Sequence, residues 1–321
     1  MEKIGRSAQQ LSPRMRSRLL SAAVAVLRAA LLIAVGYAVL SPLLQMLSNS
    51  LKSPTDFLNT SVVWLPSSLY VKNFTDAILA LDYWKTLLYT LAVPVLCALI
   101  SVAVCSVTAY GFSRFHFPER KLLFILLLLT ILVPSRLTML PSYVEFRQFD
   151  FFGLLELIGR LTGKDLTINL IDTPFTMYLP TLFSIGYRSG IFILIFRQFF
   201  NGLPKELEEA AWIDGAGPLR TFGRIIIPSS GVAFLTVTIL AVIWFWNEDY
   251  MSGIYMTTKF PLAVAMARIK DLIKLQSAAG ADNELGIVMA GCVLFILPVL
   301  ILYLILQKRF IKSIDRVGIV G

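Results

Sequence analysis

The sequence predicts an all-α, polytopic membrane protein with six transmembrane helices. Three observations carry that prediction. The chain is 57% hydrophobic and only 15% charged over 321 residues, with a mean hydropathy of +0.74. A soluble core of that length does not need so much apolar surface. Six windows of about 20 residues are apolar enough to cross a bilayer. Lysine and arginine gather in alternate connecting segments, the bias that sets orientation in a membrane. A bilayer interior has no water for backbone groups, so the spans are expected to be helical.

In chain order, residues 1–26 form a basic leader with Lys3, Arg6, Arg14, Arg16 and Arg18. The first span, 27–47, is too long for a signal-peptide core, and no small-residue cleavage site follows it, so it is read as uncleaved. An outer segment, 48–85, holds Trp64-Leu65-Pro66 and Lys72-Asn73-Phe74, a turn and then an amphipathic start. The second span is 86–108, and the loop at 113–121 carries Arg114, Arg120 and Lys121 against Glu119. The third span is 122–140. The outer segment after it is acidic: between 143 and 174, Glu145, Asp150, Glu156, Asp165 and Asp172 face only Arg147, Arg160 and Lys164. Its apolar stretch Phe151–Leu161 is expected to lie along the membrane surface. The fourth span is 175–196 and the fifth 230–247. In the outer segment 248–285, Leu262, Val264, Ala265, Ile269, Leu272 and Ile273 recur at near-helical spacing. The sixth span is 286–306. The tail, 308–321, carries Lys308, Arg309, Lys312 and Arg316 against Asp315. Residues 27–307 thus form one transmembrane domain. The charge pattern places both termini and the loop 203–228 in the cytoplasm. It also makes the +9 net charge a topology signal with no nucleic acid implied.

The loop 203–228, LPKELEEAAWIDGAGPLRTFGRIIIP, is charged and rich in small residues between two apolar segments. Pro204 can open a helix, where its missing N–H costs nothing. Glu206, Glu208 and Glu209 suit the positive end of that helix, and Gly215 can stop it. Pro218 can start a second helix. The product is a two-helix handle that another protein can grip. Ala210 and Ala211 would let a partner close tightly, Trp212, Ile213 and Phe222 would give apolar contact, and Arg220 and Arg224 would give charge pairing.

Other candidates have ordinary readings. Cys97, Cys105 and Cys292 all sit in apolar spans, as packing thiols do, with neither a disulfide framework nor metal spacing. The one histidine, His116, falls in a basic turn. Pro94, Pro134, Pro180 and Pro298 lie inside spans, as ordinary membrane-helix prolines or as hinges. Arg136 is near a span end and can snorkel. Arg188 is deeper: it can face the pore, where it would favour acidic saccharides, contact a partner, pair with an acid or simply pack. Trp246, Asn247 and Glu248 either meet a sugar at the pore mouth or anchor the interface. Gly159-Arg160-Leu161-Thr162-Gly163-Lys164-Asp165 is one residue short of a phosphate loop and lacks its hydroxyl.

The loop also contains Glu209-Ala210-Ala211, three residues, Gly215, nine residues, then Ile225-x-Ile227-Pro228. That order resembles the EAA motif of permease subunits in binding-protein-dependent ABC importers. Ala109-Tyr110-Gly111-Phe112-Ser113-Arg114-Phe115, Phe192–Phe200 with Leu203-Pro204-Lys205-Glu206-Leu207, and Trp246-Asn247-Glu248-Asp249-Tyr250 are similar to span endings of the maltose-permease-like sugar subunits. The resemblance covers about 25–320. Ile227, where Leu is common, and a longer outer segment at 148–168 depart from it. It implies a type I ABC importer permease fold in the bacterial plasma (inner) membrane. It further implies a heterodimer with a second permease subunit, two ATP-binding subunits and an extracytoplasmic sugar-binding protein. No cofactor and no metal are implied, and ATP hydrolysis belongs to the separate subunits. Coupling to them is expected at Glu209, Ala210, Ala211, Asp214, Gly215, Ile225 and Pro228. The substrate path is expected near Arg188, Trp246, Asn247 and Glu248. A permease of the same superfamily for phosphate, amino acids or peptides is the alternative. A polytopic membrane enzyme would need intramembrane His, Asp or Glu clusters that these spans almost lack.

Overall fold

A computed structural model of the chain describes residues 13–151, 153–163, 166–276 and 283–317. Lys3, Arg6, Lys164, Asp165 and the last four residues of the tail lie outside them. The helices are α1 (Pro13–Ser50), α2 (Pro54–Leu58), α3 (Lys72–Ala80), α4 (Tyr83–Arg114), α5 (Arg120–Leu132), α6 (Ser135–Arg147), α7 (Leu154–Thr162) and α8 (Phe175–Leu182). They continue as α9 (Ser189–Asn201), α10 (Glu206–Ile213), α11 (Pro218–Ser229), α12 (Gly231–Trp246), α13 (Tyr250–Tyr255), α14 (Leu262–Ala267), α15 (Ile269–Gln276) and α16 (Glu284–Val317). Among the described residues every named element is a helix, and one isolated bridge joins Phe149 to Ile168.

Helix α4 is the axis of the bundle. Its small residues Cys97, Ala98, Ser101, Cys105 and Ala109 are fully buried, so neighbouring backbones approach closely, as membrane helices without a hydrophobic drive between them require. Phe192, Ile193, Phe196 and Phe200 of α9 and Val237, Ala241 and Phe245 of α12 fill the space against it. The Phe196 and Phe200 rings stack with centroids 5.7 Å apart. Pro94 lacks an N–H and crowds the carbonyl one turn back. The chain answers with a π turn at Leu91–Val95, and Tyr178 donates its hydroxyl to the carbonyl of Ala92 inside it.

Among the described residues three helical stretches, Leu20–Ser50 of α1, α4 and Glu284–Ile305 of α16, are long and apolar enough to cross a membrane, and the number reaches five if each bent pair is one span. The expected count of six is therefore not reached by length and composition alone. Spans 27–47, 86–108 and 286–306 fall inside those three long helices. Span 230–247 is α12, set at 83° to α11. Span 122–140 breaks at Pro134, which drives Val133 to an extended ψ of 116°. Span 175–196 breaks between α8 and α9, where Ser184 and Arg188 take left-handed φ of 59° and 58°. Gly186 fits there only because it lacks a side chain: a Cβ would sit 2.8 Å from the Cα of Thr181.

A second layer covers one end of the bundle. Ala77 and Ala80 of α3 pack with Leu262, Ala265, Ile269 and Ile273 and with Ile287 and Ala290 of α16. The buried Asn73 amide donates to the carbonyls of Ser50 and Lys52, and Asn283 donates to Lys52 and to Asn73. This polar knot fixes the end of α1 beside the start of α16. The two helices pack together, so both run away from it, and residues 13 and 317 lie at the opposite end. Helix α1 exposes large apolar side chains from Leu20 to Leu47. Leu154, Leu157 and Leu161 of α7 are likewise exposed, the amphipathic arrangement expected of a helix lying on a surface.

Candidate functional site

The handle is built as its residues dictate. Helix α10 ends in a turn whose Gly215 has a φ of 77°, a conformation glycine takes without penalty. The N–H of Gly215 donates to Trp212 and that of Ala216 to Ala211, the paired bonds that satisfy the last carbonyls of a helix. Pro218 then opens α11 at its first position. A π turn at Phe222–Ile226 precedes Pro228.

The outer side of the handle is largely exposed. Leu207, Trp212, Ile213, Leu219 and Ile227 are exposed, with Ile213 at 86% and Leu219 at 79%. Around them stand exposed Glu206, Glu209 and Asp214 on the first helix and Arg220 and Arg224 on the second. Exposed apolar side chains set among charges are what a docking surface presents. Of the expected coupling residues, Glu209, Ala210, Asp214, Gly215 and Pro228 are exposed, Ile225 is half-buried and Ala211 is buried. The expected apolar contact through Phe222 is corrected: that ring is buried within the chain, 5.0 Å from Tyr110.

The inner side holds residues that sequence reasoning missed as a set. Glu208 is 2% exposed. Its Oε1 lies 2.5 Å from Arg114 Nε, and Tyr110 donates its hydroxyl to Oε2 at 3.0 Å. Arg114 Nη2 also donates to the Leu203 carbonyl at 3.0 Å. Tyr110 and Arg114 stood in the quoted Ala109–Phe115 stretch and Glu208 among the helix-opening acids. Nothing in the linear order joins positions so far apart.

The four expected substrate-path residues do not come together. Trp246 is buried in the second layer and donates Nε1–H to the Phe295 carbonyl. Asn247 is exposed and donates back to Ile243. Arg188 stacks over the Trp244 ring at 4.9 Å and over Tyr187 at 5.3 Å. Glu248 lines a cavity of about 120 Å³ with Pro180, Thr181, Gly186, Tyr187 and Phe245. Its carboxylate accepts from the N–H of Met251 and Ser252 and from the Ser252 hydroxyl, which caps α13. That cavity sits against the break between α8 and α9, the kind of place where irregular backbone is tolerated at membrane depth. A larger cavity, about 410 Å³, opens between α4 and the second layer and is lined by Asp82, Lys85, Tyr89, Thr258, Lys259 and Phe260. Among the described residues no group of three or more His, Cys, Asp or Glu could hold a metal ion.

Comparison with known proteins places this architecture. The chain is 27% identical over 279 residues, 85% of each chain, to the osmoprotective compounds uptake permease protein GgtD of a Synechocystis species. It is 31% identical over 213 residues, 66% of each chain, to the sn-glycerol-3-phosphate transport system permease protein UgpE of Yersinia pestis. It is 26% identical over 275 residues, 86% of this chain and 89% of the relative, to the probable starch degradation products transport system permease protein AmyC of Thermoanaerobacterium thermosulfurigenes. The fold matches a chain in the crystal structure of a bacterial ABC transporter involved in the import of the acidic polysaccharide alginate. The TM-score is 0.71, covering 94% of this chain and 99% of that one at 21% identity. The family model for the binding-protein-dependent transport system inner membrane component matches residues 102–316. With that match over most of its length, and with its handle and helical bundle in place, the chain belongs to that family of transport-system membrane subunits.

Proposed function

We propose that this chain forms half of the translocation pore of an ATP-driven importer for a sugar or oligosaccharide, paired with a different permease subunit. The observation that carries the coupling is the exposed, Gly215-terminated handle. Its apolar patch has the chemistry of a partner's groove, and the family is one of binding-protein-dependent systems. Glu209, Ala210, Asp214 and Gly215 meet an ATP-binding subunit on the outer side. Ala211 and Ile225 shape the handle from within, and the exposed Pro228 joins its coupling surface. Separate subunits hydrolyse ATP, and this chain does no bond chemistry. The names of its relatives, among them a permease for starch degradation products and an alginate importer, support a polyhydroxylated solute over phosphate, amino acids or peptides.

Both termini and the handle are cytoplasmic in this reading. The lysine and arginine bias supports that sidedness, and so does the antiparallel pairing of α1 with α16. A cysteine introduced as Lys205→Cys or Ser229→Cys should react with an impermeant label only in permeabilised cells, and labelling in intact cells would refute the topology. Co-expression with the candidate partners tests the coupling. Gly215→Arg should stay in the membrane with the second permease and lose both the ATP-binding subunit and uptake. Normal recovery of the ATP-binding subunit with full uptake would overturn the assignment.

A further inference from the structure

We infer that Glu208, Arg114 and Tyr110 are positioning residues that make the handle and α4 move as one body. The inference rests on the proposed coupling role of the handle. Both charged side chains are out of water, at 5% and 3% exposure. Attraction between two such charges does not by itself repay their desolvation, and well-packed apolar residues would stabilise the contact as well or better. What the pair adds is a fixed orientation. An apolar contact between α10 and α4 could slide, whereas an ion pair together with the Tyr110 hydrogen bond on the same carboxylate holds one register.

The same last turns of α4 also hold the linker, α9 and α11. Arg114 holds the linker at Leu203. Ser113 donates to Asn201 at the end of α9, at 2.8 Å. The Tyr110 ring lies against Phe222 of α11. At the far end of α4, Thr90 accepts the N–H of Leu262 at 2.8 Å, in the layer that covers the bundle. Helix α4 is therefore bonded at both ends, and a continuous helix bonded at both ends can carry displacement between them.

The test is the ratio of solute imported to ATP hydrolysed, measured on the reconstituted complete transporter. Glu208→Gln keeps the shape and removes the charge. Arg114→Lys keeps the charge and removes the forked donor. Glu208→Gln is expected to hydrolyse ATP within about threefold of the unsubstituted transporter while its import per ATP falls at least tenfold, with Arg114→Lys in between. An unchanged ratio in both variants would overturn the inference. So would a parallel loss of import, hydrolysis and membrane level in both, which would make the pair a packing feature of folding alone. If the unsubstituted chain itself recruits no ATP-binding subunit, the proposed function fails. If it does and the ratio is unmoved, only the coupling role of these three residues fails.

Discussion

Gly215 shows how one residue can set the shape of the handle. A Cβ there would touch nothing within 4 Å, so the only obstacle within the chain is the left-handed φ of 77°. Gly215→Ala is expected to cost about 1 kcal/mol locally, seen as faster amide exchange over 206–216 with the rest of the chain unchanged, and Gly215→Asn is expected to cost less. Asp172 is a second instance. Its carboxylate accepts from the backbone of Thr257 and Thr258 and from the Thr257 hydroxyl, latching two outer loops together. The Thr258 backbone bond, first among these, holds its pKa below the usual carboxylate value. A depressed carboxylate contributes stability above its unfolded pKa and loses it as pH falls through the folded one. Proteolysis at 256–260 should therefore rise as pH falls below about 4, and Asp172→Asn should flatten that dependence. The sequence showed Gly215 because a glycine between two helix-forming runs has few other uses. It did not show Asp172, whose partners are far away in the chain.

At the level of helices, the breaks matter more than the spans. Gly186 lies against Thr181 within the interruption that lines the 120 Å³ cavity. Gly186→Ala forces a methyl into backbone and is expected to destabilise by about 1–3 kcal/mol, read as a shorter half-life of the detergent-solubilised chain at raised temperature. Prolines 94, 134 and 180 were visible in the sequence, but their consequences differ. Pro94 leaves α4 continuous with one wide turn, whereas Val133 and Pro134 end α5. Hydropathy reports that a window is apolar. It does not report whether Ser184 and Arg188 will turn left-handed inside one, because that depends on what packs against the turn. Trp246 and Glu248, adjacent enough to look like one site, point into different layers for the same reason.

Across the whole molecule, the apolar residues of 248–285 serve to join the bundle to its second layer. Leu262, Ile269 and Ile273 do form one face, but α3 and α16 cover it. Its apolarity is thus explained within the chain and gives no reason for an outside protein to dock there. A period of apolar residues shows that a face is covered, and not what covers it. Ile269→Ala or Ile273→Ala is expected to cost about 2–5 kcal/mol and to lower the melting temperature of the purified chain. Changes at the exposed Lys270 and Lys274 should leave it unmoved. The exposed sides of α1 and α7 are the reverse case. Their apolar residues lack cover in the described chain, as lipid-facing or subunit-facing surfaces do.

The two π turns, at 91–95 and 222–226, each hold one residue more than an ordinary turn. At 222–226 a chain one residue shorter would close toward an ordinary α-helical turn, and everything before the turn would swing by about 100° around the axis. Gly223 is exposed, but Thr221 and Phe222 before it are buried, the Phe222 ring 5.0 Å from Tyr110, so its deletion would pull that ring from its seat. The shortened protein should therefore lose heat resistance and present Leu219 and Arg220 on another side. An accessory subunit recognising the original phase would then no longer be retained on affinity purification. In that sense the odd residue is a phase setting, and a helix made more regular by its loss would be wrongly aimed.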